Sequence, residues 1–251
     1  MITAIYIDAT LPTIPGMKTL DDFTASNWFY GLPATTAVPY AGFYFGTPVS
    51  DLVYNSYNPG EPGAIVGSVT NTDGFITVNP DNYFNTNQKA TQTFTVCGVA
   101  KRNAGGPALN AHMLADFAGT AATAQGFSIG FAPTDGRLFI ATQNEGQSTA
   151  TYAYAAFPSS IAVGDLFAFT ASVSQGAIAV DIYNPSTMLM VSGTGAPGGT
   201  RTAGVNNVLL GRKTDNNTET TSKYFRSAIL MDGLLTTDEK IEVSKYLVSM
   251  G

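Results

Sequence analysis

The sequence predicts an all-β protein: a two-sheet antiparallel jelly-roll sandwich, with an irregular N-terminal arm before it and one short helix closing it. Three observations carry the prediction. From about residue 63 onward, short runs rich in β-branched and aromatic residues follow one another, separated by turn-forming residues. No helical hydrophobic period lies between those runs, which argues against βαβ units and a parallel sheet. One amphipathic helix pattern then appears near the C-terminus, in "TTDEKIEVSKYLVSMG".

Composition agrees with one large β domain or two small ones. The chain has 251 residues, of which 44% are hydrophobic, enough to bury a core. Only 12% are charged, about half the usual share, so few solvated helical faces are expected. The net charge is −6, with 12 Lys and Arg and no basic cluster beyond Lys101-Arg102 and Arg212-Lys213. Nucleic acid and anionic membranes, which need a concentrated basic footprint, are therefore not expected partners. No apolar run is long enough to span a bilayer. The start, "MITAIYIDATLPTIPGM", has neither a basic n-region nor an apolar h-region, so no secretory signal is expected.

Residues 1–49 read as the arm. After the alternating run "ITAIYID" come Pro12, Pro15, Pro33, Pro39 and Pro48, a density that blocks long helices and central strands. The same stretch holds Trp28, Phe29, Tyr30, Phe43, Tyr44 and Phe45, too much apolar area for a solvated linker. The expectation is an attachment segment that buries these aromatic residues between subunits of an oligomer. A self-packed arm is the alternative.

The strands follow in order from residue 50 to 251. The candidates are "AIVGSV", "GFITVN", "TFTVCGVAK", "LNAHMLADF", "GFSIGF", "RLFIAT", "TYAYAAF", "LFAFTASV", "AIAVDIYN", "MLMVSG", "NVLLG" and "YFRSAILM". Asp73-Gly74, Asp135-Gly136 and Gln175-Gly176 supply hairpin-type turns between them. No fixed-period repeat is present, which counts against a propeller or a β-helix. After the last strand Asp232-Gly233 turns the chain. Thr236 and Glu239 then form a capping box, and Asp238 adds a favourable charge to the first turn. Val243, Tyr246, Leu247 and Met250 make one apolar stripe. A helix over 237–249 is too short to be stable alone, so it must dock on the sandwich.

The segment "AILMDGLLTTDEKIEVSKYL" resembles the end of concanavalin A-like lectin/glucanase jelly rolls, specifically the laminin-G-like group. There a strand and a turn lead into Leu-Thr-x-Asp/Glu-Glu-x-Ile and a closing helix. "SDLVYNSYNPGEPGAIVGSVTNTDGFITVNPDNYFNTNQKATQTFTVCGVAKR" looks like the opening of that group, and "VGDLFAFTASVSQGAIAVDIYNP" like its paired hairpin strands. "NNVLLGRKTDNNTETTSKYFRSAILM" is similar to its penultimate step, although the glycine usual after "YF" is missing. The resemblance covers residues 50–251 and implies a concanavalin A-like sandwich with a lectin-type ligand.

The chemistry the residues offer is recognition rather than catalysis. Glucanases of that superfamily carry E-x-D-x-E or E-x-D-x-x-E on a strand, because glycoside hydrolysis needs two facing carboxyl groups. No such spacing occurs on a strand here, and the acidic cluster "TDEKIE" is a helix start, so no enzymatic activity is expected. Cys97 and His112 are each the one residue of their type, which leaves zinc and triad chemistry without parts. Both sit in strand-like runs, where Cys97 is expected to be a buried hydrophobe and His112 a satisfied core or edge histidine.

Two candidate sites remain. Tyr152 and Tyr154 share one face of a strand, opposite Ala153 and Ala155, and could form an aromatic platform for a sugar; cross-strand packing is the alternative. Asp215, Asn216, Asn217 and Glu219 in "GRKTDNNTET" could ligate calcium, the one cofactor worth considering; a polar hairpin loop is the alternative. The functional expectation is a non-catalytic bacteriophage virion protein, a component of a tail fibre, tail spike or head appendage. It would be made in the host cytoplasm, pair with itself and other virion proteins, and attach to a cell-surface glycan. A free carbohydrate-binding module and a divergent glycoside hydrolase are the competing readings.

Overall fold

In the computed structural model, residues 28–46, 51–104 and 109–250 are described. In chain order the first strands are β1 (Val38–Tyr44), β2 (Ala64–Val66), β3 (Thr70–Thr72), β4 (Phe75–Val78) and β5 (Tyr83–Lys89). The middle of the chain forms β6 (Phe94–Lys101), β7 (Ala111–Ala115), β8 (Gly126–Phe131), β9 (Leu138–Gln143) and β10 (Thr151–Ala155). There follow β11 (Leu166–Ser174), β12 (Ala177–Asn184), β13 (Leu189–Gly195), β14 (Asn207–Leu210), β15 (Lys223–Asp232) and the helix α1 (Thr237–Ser249).

These strands make two antiparallel sheets. The eight-stranded sheet runs β13-β12-β11-β6-β15-β4-β3, with β1 also paired to β15. The seven-stranded sheet runs β10-β9-β8-β7-β14-β5-β2. Alternation along each strand sends one set of side chains between the sheets. Phe84, Phe94, Phe127, Phe131, Phe167, Phe169 and Phe225 meet there and make the main core. The hairpin turn between β3 and β4 behaves as its residues require: Asp73 and Gly74 both take positive φ, 52° and 75°.

A second apolar layer explains why β6 reads as one unbroken buried run. Phe94 and Val96 face the main core, while Cys97 and Val99 face outward under α1. Val243 and Leu247 of the helix close over them, beside Ile229 and Met231. The capping box forms as expected, with Thr236 accepting from the Glu239 N–H and the Glu239 carboxylate accepting from the Thr236 N–H. Lys240 fastens the helix to the sheet: its Nζ lies 2.7 Å from the buried Asp181 carboxylate, which Thr170 Oγ1 also reaches at 3.0 Å. Burial pushes the Cys97 thiol pKa up, so it stays a neutral, small apolar group there.

The structure corrects the expected boundary after residue 49. Residues 28–46 belong to the sandwich, and the aromatic residues expected between subunits pack within the chain itself. β1 lies antiparallel to β15, with Phe43 opposite Ala228 and Val38 opposite Asp232. Phe43 and Phe45 are fully buried, each meeting the Phe84 ring edge-on at 5.0 and 5.3 Å. Trp28 stacks on Tyr44 at 5.6 Å, donates its indole N–H to Ser56 Oγ at 2.9 Å, and joins the layer under α1. Phe29 packs against the same layer, and Tyr246 Oη of α1 donates to the Trp28 carbonyl. Of the six, only Tyr30 stays well exposed, at 64%.

The physical reason lies in the length of β15. At ten residues it holds two short neighbours end to end on one side, β4 against Lys223–Phe225 and β1 against Ser227–Asp232. Pro39 is tolerated because β1 is an edge strand, paired to β15 alone, and its register shifts between Pro39 and Ala41. The expected arm over residues 1–27, with "ITAIYID", Pro12 and Pro15, lies outside the described residues, as does Pro48.

Candidate functional site

The outward face of the seven-stranded sheet carries a hollow. Phe127, Ile129 and Phe131 of β8, Leu138 and Ile140 of β9, and Ala153 and Ala155 of β10 all point into the core. Alternation therefore turns Ser128, Gly130, Phe139, Ala141, Tyr152 and Tyr154 outward. Register aligns them in two rows: Ser128, Ala141 and Tyr152 in one, and Gly130, Phe139 and Tyr154 in the next. Ser128 and Ala141, small residues side by side in the first row, leave a sunken floor beside Tyr152.

The cavity above that floor has a volume of about 240 Å3. Tyr152 forms one wall. The residue is 40% exposed, and its ring stacks on Tyr154 at 5.9 Å and 10° and meets Phe139 at 5.8 Å. Asn110 Nδ2 reaches toward its hydroxyl at 3.5 Å. Burial, helped by the neighbouring Tyr154, raises the Tyr152 pKa, so the phenol keeps its proton and remains a donor. Tyr154 stands beside the cavity rather than in its lining. Its outer face carries the Arg137 guanidinium at 4.5 Å, which is itself paired with Asp135 at 2.6 Å.

His112 of β7 contributes to the lining, with Nδ1 2.7 Å from Ser128 Oγ and its ring edge-on to Phe139 at 5.9 Å. Burial lowers its pKa to about 3, aided by the charges of Lys213 and Lys223, so the imidazole is neutral.

The opposite wall is the loop after β14. Lys213, Asn216, Thr218 and Glu219 line the cavity together with Phe117. The remaining expected calcium ligands shape that loop instead. Both Asp215 oxygens accept from the Gly119 N–H at 3.0 Å. Asn217 accepts from the Lys213 N–H and donates back to its carbonyl, both at 2.9 Å. Asn216 takes a positive φ of 52°, a conformation Asn tolerates better than most residues. Glu219 is held from inside: its Oε2 is 2.6 Å from Nζ of the buried Lys223, and Oε1 accepts from the Thr221 N–H. Burial lowers the Lys223 pKa, and Glu219 opposes that shift. Among the described residues no group of three or more His, Cys, Asp or Glu could hold a metal ion.

Of the residues singled out in the sequence, the fold thus brings Tyr152, Asn216 and Glu219 to one cavity. It adds Ser128, Asn110, Phe117, Thr218 and Lys213, which the sequence did not single out as site residues, and His112, which it reads as a satisfied core or edge histidine. The signal available for some of them was the small residues at outward positions, Ser128 and Gly130 in "GFSIGF" and Ala141 in the next strand. Chemically the cavity offers an aromatic face, amides, hydroxyls and one ammonium. Its one lining carboxylate, Glu219, is engaged by Lys223.

No family model matches the sequence, and no curated protein matches it either. Solved structures do match. Domain 4 of AbnA, an extracellular GH43 arabinanase from Geobacillus stearothermophilus solved in complex with arabinotriose, is 15% identical, with a TM-score of 0.59. The match covers 83% of this chain and 98% of that domain. The receptor-binding domain of botulinum neurotoxin type G is 10% identical, with a TM-score of 0.60 over 84% of this chain. The binding domain of botulinum neurotoxin DC, solved in complex with SialylT, is also 10% identical, with a TM-score of 0.59 over 83% of this chain. This chain spans about half of each of the two toxin domains, 51%. At such identities the likeness is one of fold: a two-sheet β-sandwich.

Proposed function

We propose that the chain is a glycan-recognition sandwich that works without catalysis, carried on a bacteriophage particle as part of a tail fibre, tail spike or head appendage. The observation that carries the glycan reading is the cavity on the seven-stranded sheet. The exposed Tyr152 lines it together with the small residues Ser128 and Ala141 and the polar residues Asn216 and Thr218, around about 240 Å3. A sugar presents an apolar ring face edged by hydroxyls, and such a wall-and-donor arrangement complements it. The complex of the arabinanase domain with arabinotriose supports the same reading.

Calorimetric titration tests it. Arabino-oligosaccharides and pyranose oligosaccharides are the probes, and Tyr152→Ala is the variant. At least one probe should bind, and Tyr152→Ala should weaken it about tenfold, since burying a ring face at ~25 cal/mol per Å2 is worth one to two kcal/mol. Binding unchanged in a folded Tyr152→Ala protein, or no binding by any probe, would overturn the reading. Prolonged incubation should release no new reducing ends.

The virion setting rests on the sequence reading, and so does assembly with other virion proteins or with copies of the same chain. Tyr30 is the candidate aromatic left exposed for such a contact. A free carbohydrate-binding module is the second reading. It is favoured by the match over 98% of the arabinanase domain and by residues 28–46 folding into their own sandwich. Mass spectrometry of purified phage particles separates the two, because the first requires the chain to be present in them.

A further inference from the structure

We infer that the cavity selects an acidic sugar, with the Lys213 ammonium receiving the sugar's carboxylate while the ring lies against Tyr152. The inference rests on the glycan reading above and deepens it.

Charge placement carries the argument. The chain as a whole is acidic, at −6, yet its candidate site is not. Lys213 lines the cavity and forms no salt bridge among the described residues. Its ammonium lies 5.8 Å from the Phe117 ring centroid, a contact that holds a cation without neutralising it. Burial lowers its pKa while Asp215 opposes the shift, so the site holds a partly desolvated charge short of a close partner. Asp215 acts on it from beyond salt-bridge distance, and both Asp215 oxygens sit on the Gly119 N–H.

The other charges leave that excess standing. Glu219, the one carboxylate in the lining, is matched by Lys223. Burial keeps the His112 imidazole neutral, so it adds no charge to the cavity, and Lys213 is among the cations that lower its pKa further. A partly buried cation without a carboxylate is costly, and an incoming anion offsets that cost where a neutral sugar cannot. One ammonium with one charge suits a single carboxylate. Asn110, Asn216 and Thr218 remain for the neutral hydroxyls of the same ring.

The test uses the full chain, with trigalacturonate and its fully methyl-esterified form as probes. The two share rings and linkages and differ in charge. The acid should bind about tenfold tighter than the ester at low salt, and the gap should narrow but persist at roughly 0.5 M salt, because a partly buried pair is screened less than an exposed one. Lys213→Gln, checked for folding by circular dichroism and melting, should erase the preference, and Lys213→Arg should keep it. Ester binding as tightly as acid, or a preference that survives in Lys213→Gln, would overturn the inference. So would binding of neutral arabino-oligosaccharides with no binding of trigalacturonate, a result that leaves the glycan reading standing. Failure of every glycan, acidic or neutral, would instead remove the reading underneath.

Discussion

Replacing Phe43 with alanine tests whether the segment before residue 50 is part of the domain core. Phe43 is fully buried, sits in β1 opposite Ala228 of β15, and meets the Phe84 ring edge-on at 5.0 Å. Trimming it to a methyl removes roughly 120–150 Å2 of buried apolar surface, worth about 3–4 kcal/mol at ~25 cal/mol per Å2. Losing the edge-on contact adds about 1 kcal/mol. The sum, about 4–5 kcal/mol, falls in the range seen for buried Phe→Ala changes. It is a large part of the ~5–15 kcal/mol that holds a typical domain together. Urea unfolding followed by the fluorescence of Trp28 measures it, since that is the one tryptophan in the chain and it is buried under α1. The midpoint should fall with the slope unchanged. A loss below about 1 kcal/mol would show that Phe43 does not pack in the core of its own chain.

Three further expectations follow from the same packing. Leu247→Asp puts a charge into the fully buried layer between α1 and the eight-stranded sheet, and should lower stability by about 3 kcal/mol or more. An unchanged melting temperature would mean that the helix does not dock there. His112 and Asp116 set opposing pH dependences. With a folded pKa lowered from 6.5 to about 3, His112 contributes stability that is complete above pH 6.5 and is lost as pH falls. Burial raises Asp116 from 3.8 to about 6, so its contribution is complete below 3.8 and is lost as pH rises through 6. His112→Asn should therefore gain on the wild type by about 1.4 kcal/mol per pH unit on acidification below pH 6.5; a pH-independent difference refutes the neutral buried imidazole. Calcium should matter little, because Asp215 and Glu219 are already engaged by Gly119, Thr221 and Lys223. Melting in millimolar calcium and in chelator should agree within about a degree, and a larger shift would restore the loop as a metal site.

Much of the fold was legible because its signals are local. The capping box, the apolar stripe of α1 and the alternation of β8 through β12 each depend on a few adjacent residues. The missed strands lack such signals. β1 carries Pro39 inside it, β3 is "TNT" and fully exposed, and β5 is "YFNTNQK". In β5 the inward positions are Phe84, Thr86 and Gln88; Thr86 donates to the Val208 carbonyl at 2.8 Å, so a polar strand is satisfied in the interior. The site was half legible for a related reason. Tyr152 and Tyr154 announce an exposed aromatic face on one strand, through the alanines between them. His112 joins Tyr152 only through sheet register, and Lys213 only through the path of the loop after β14, neither of which a local pattern encodes.

A nitrogen–proton correlation titration by NMR addresses the central claim most directly, because it locates binding as well as detecting it. With the isotope-labelled chain and an oligosaccharide that binds, the amides of Asn110, His112, Ser128, Tyr152, Asn216 and Thr218 should shift together and saturate on one curve. Amides of α1, which covers the opposite sheet, should stay in place. Shifts concentrated at α1 or elsewhere on the eight-stranded sheet, with the Tyr152 cavity silent, would contradict the account.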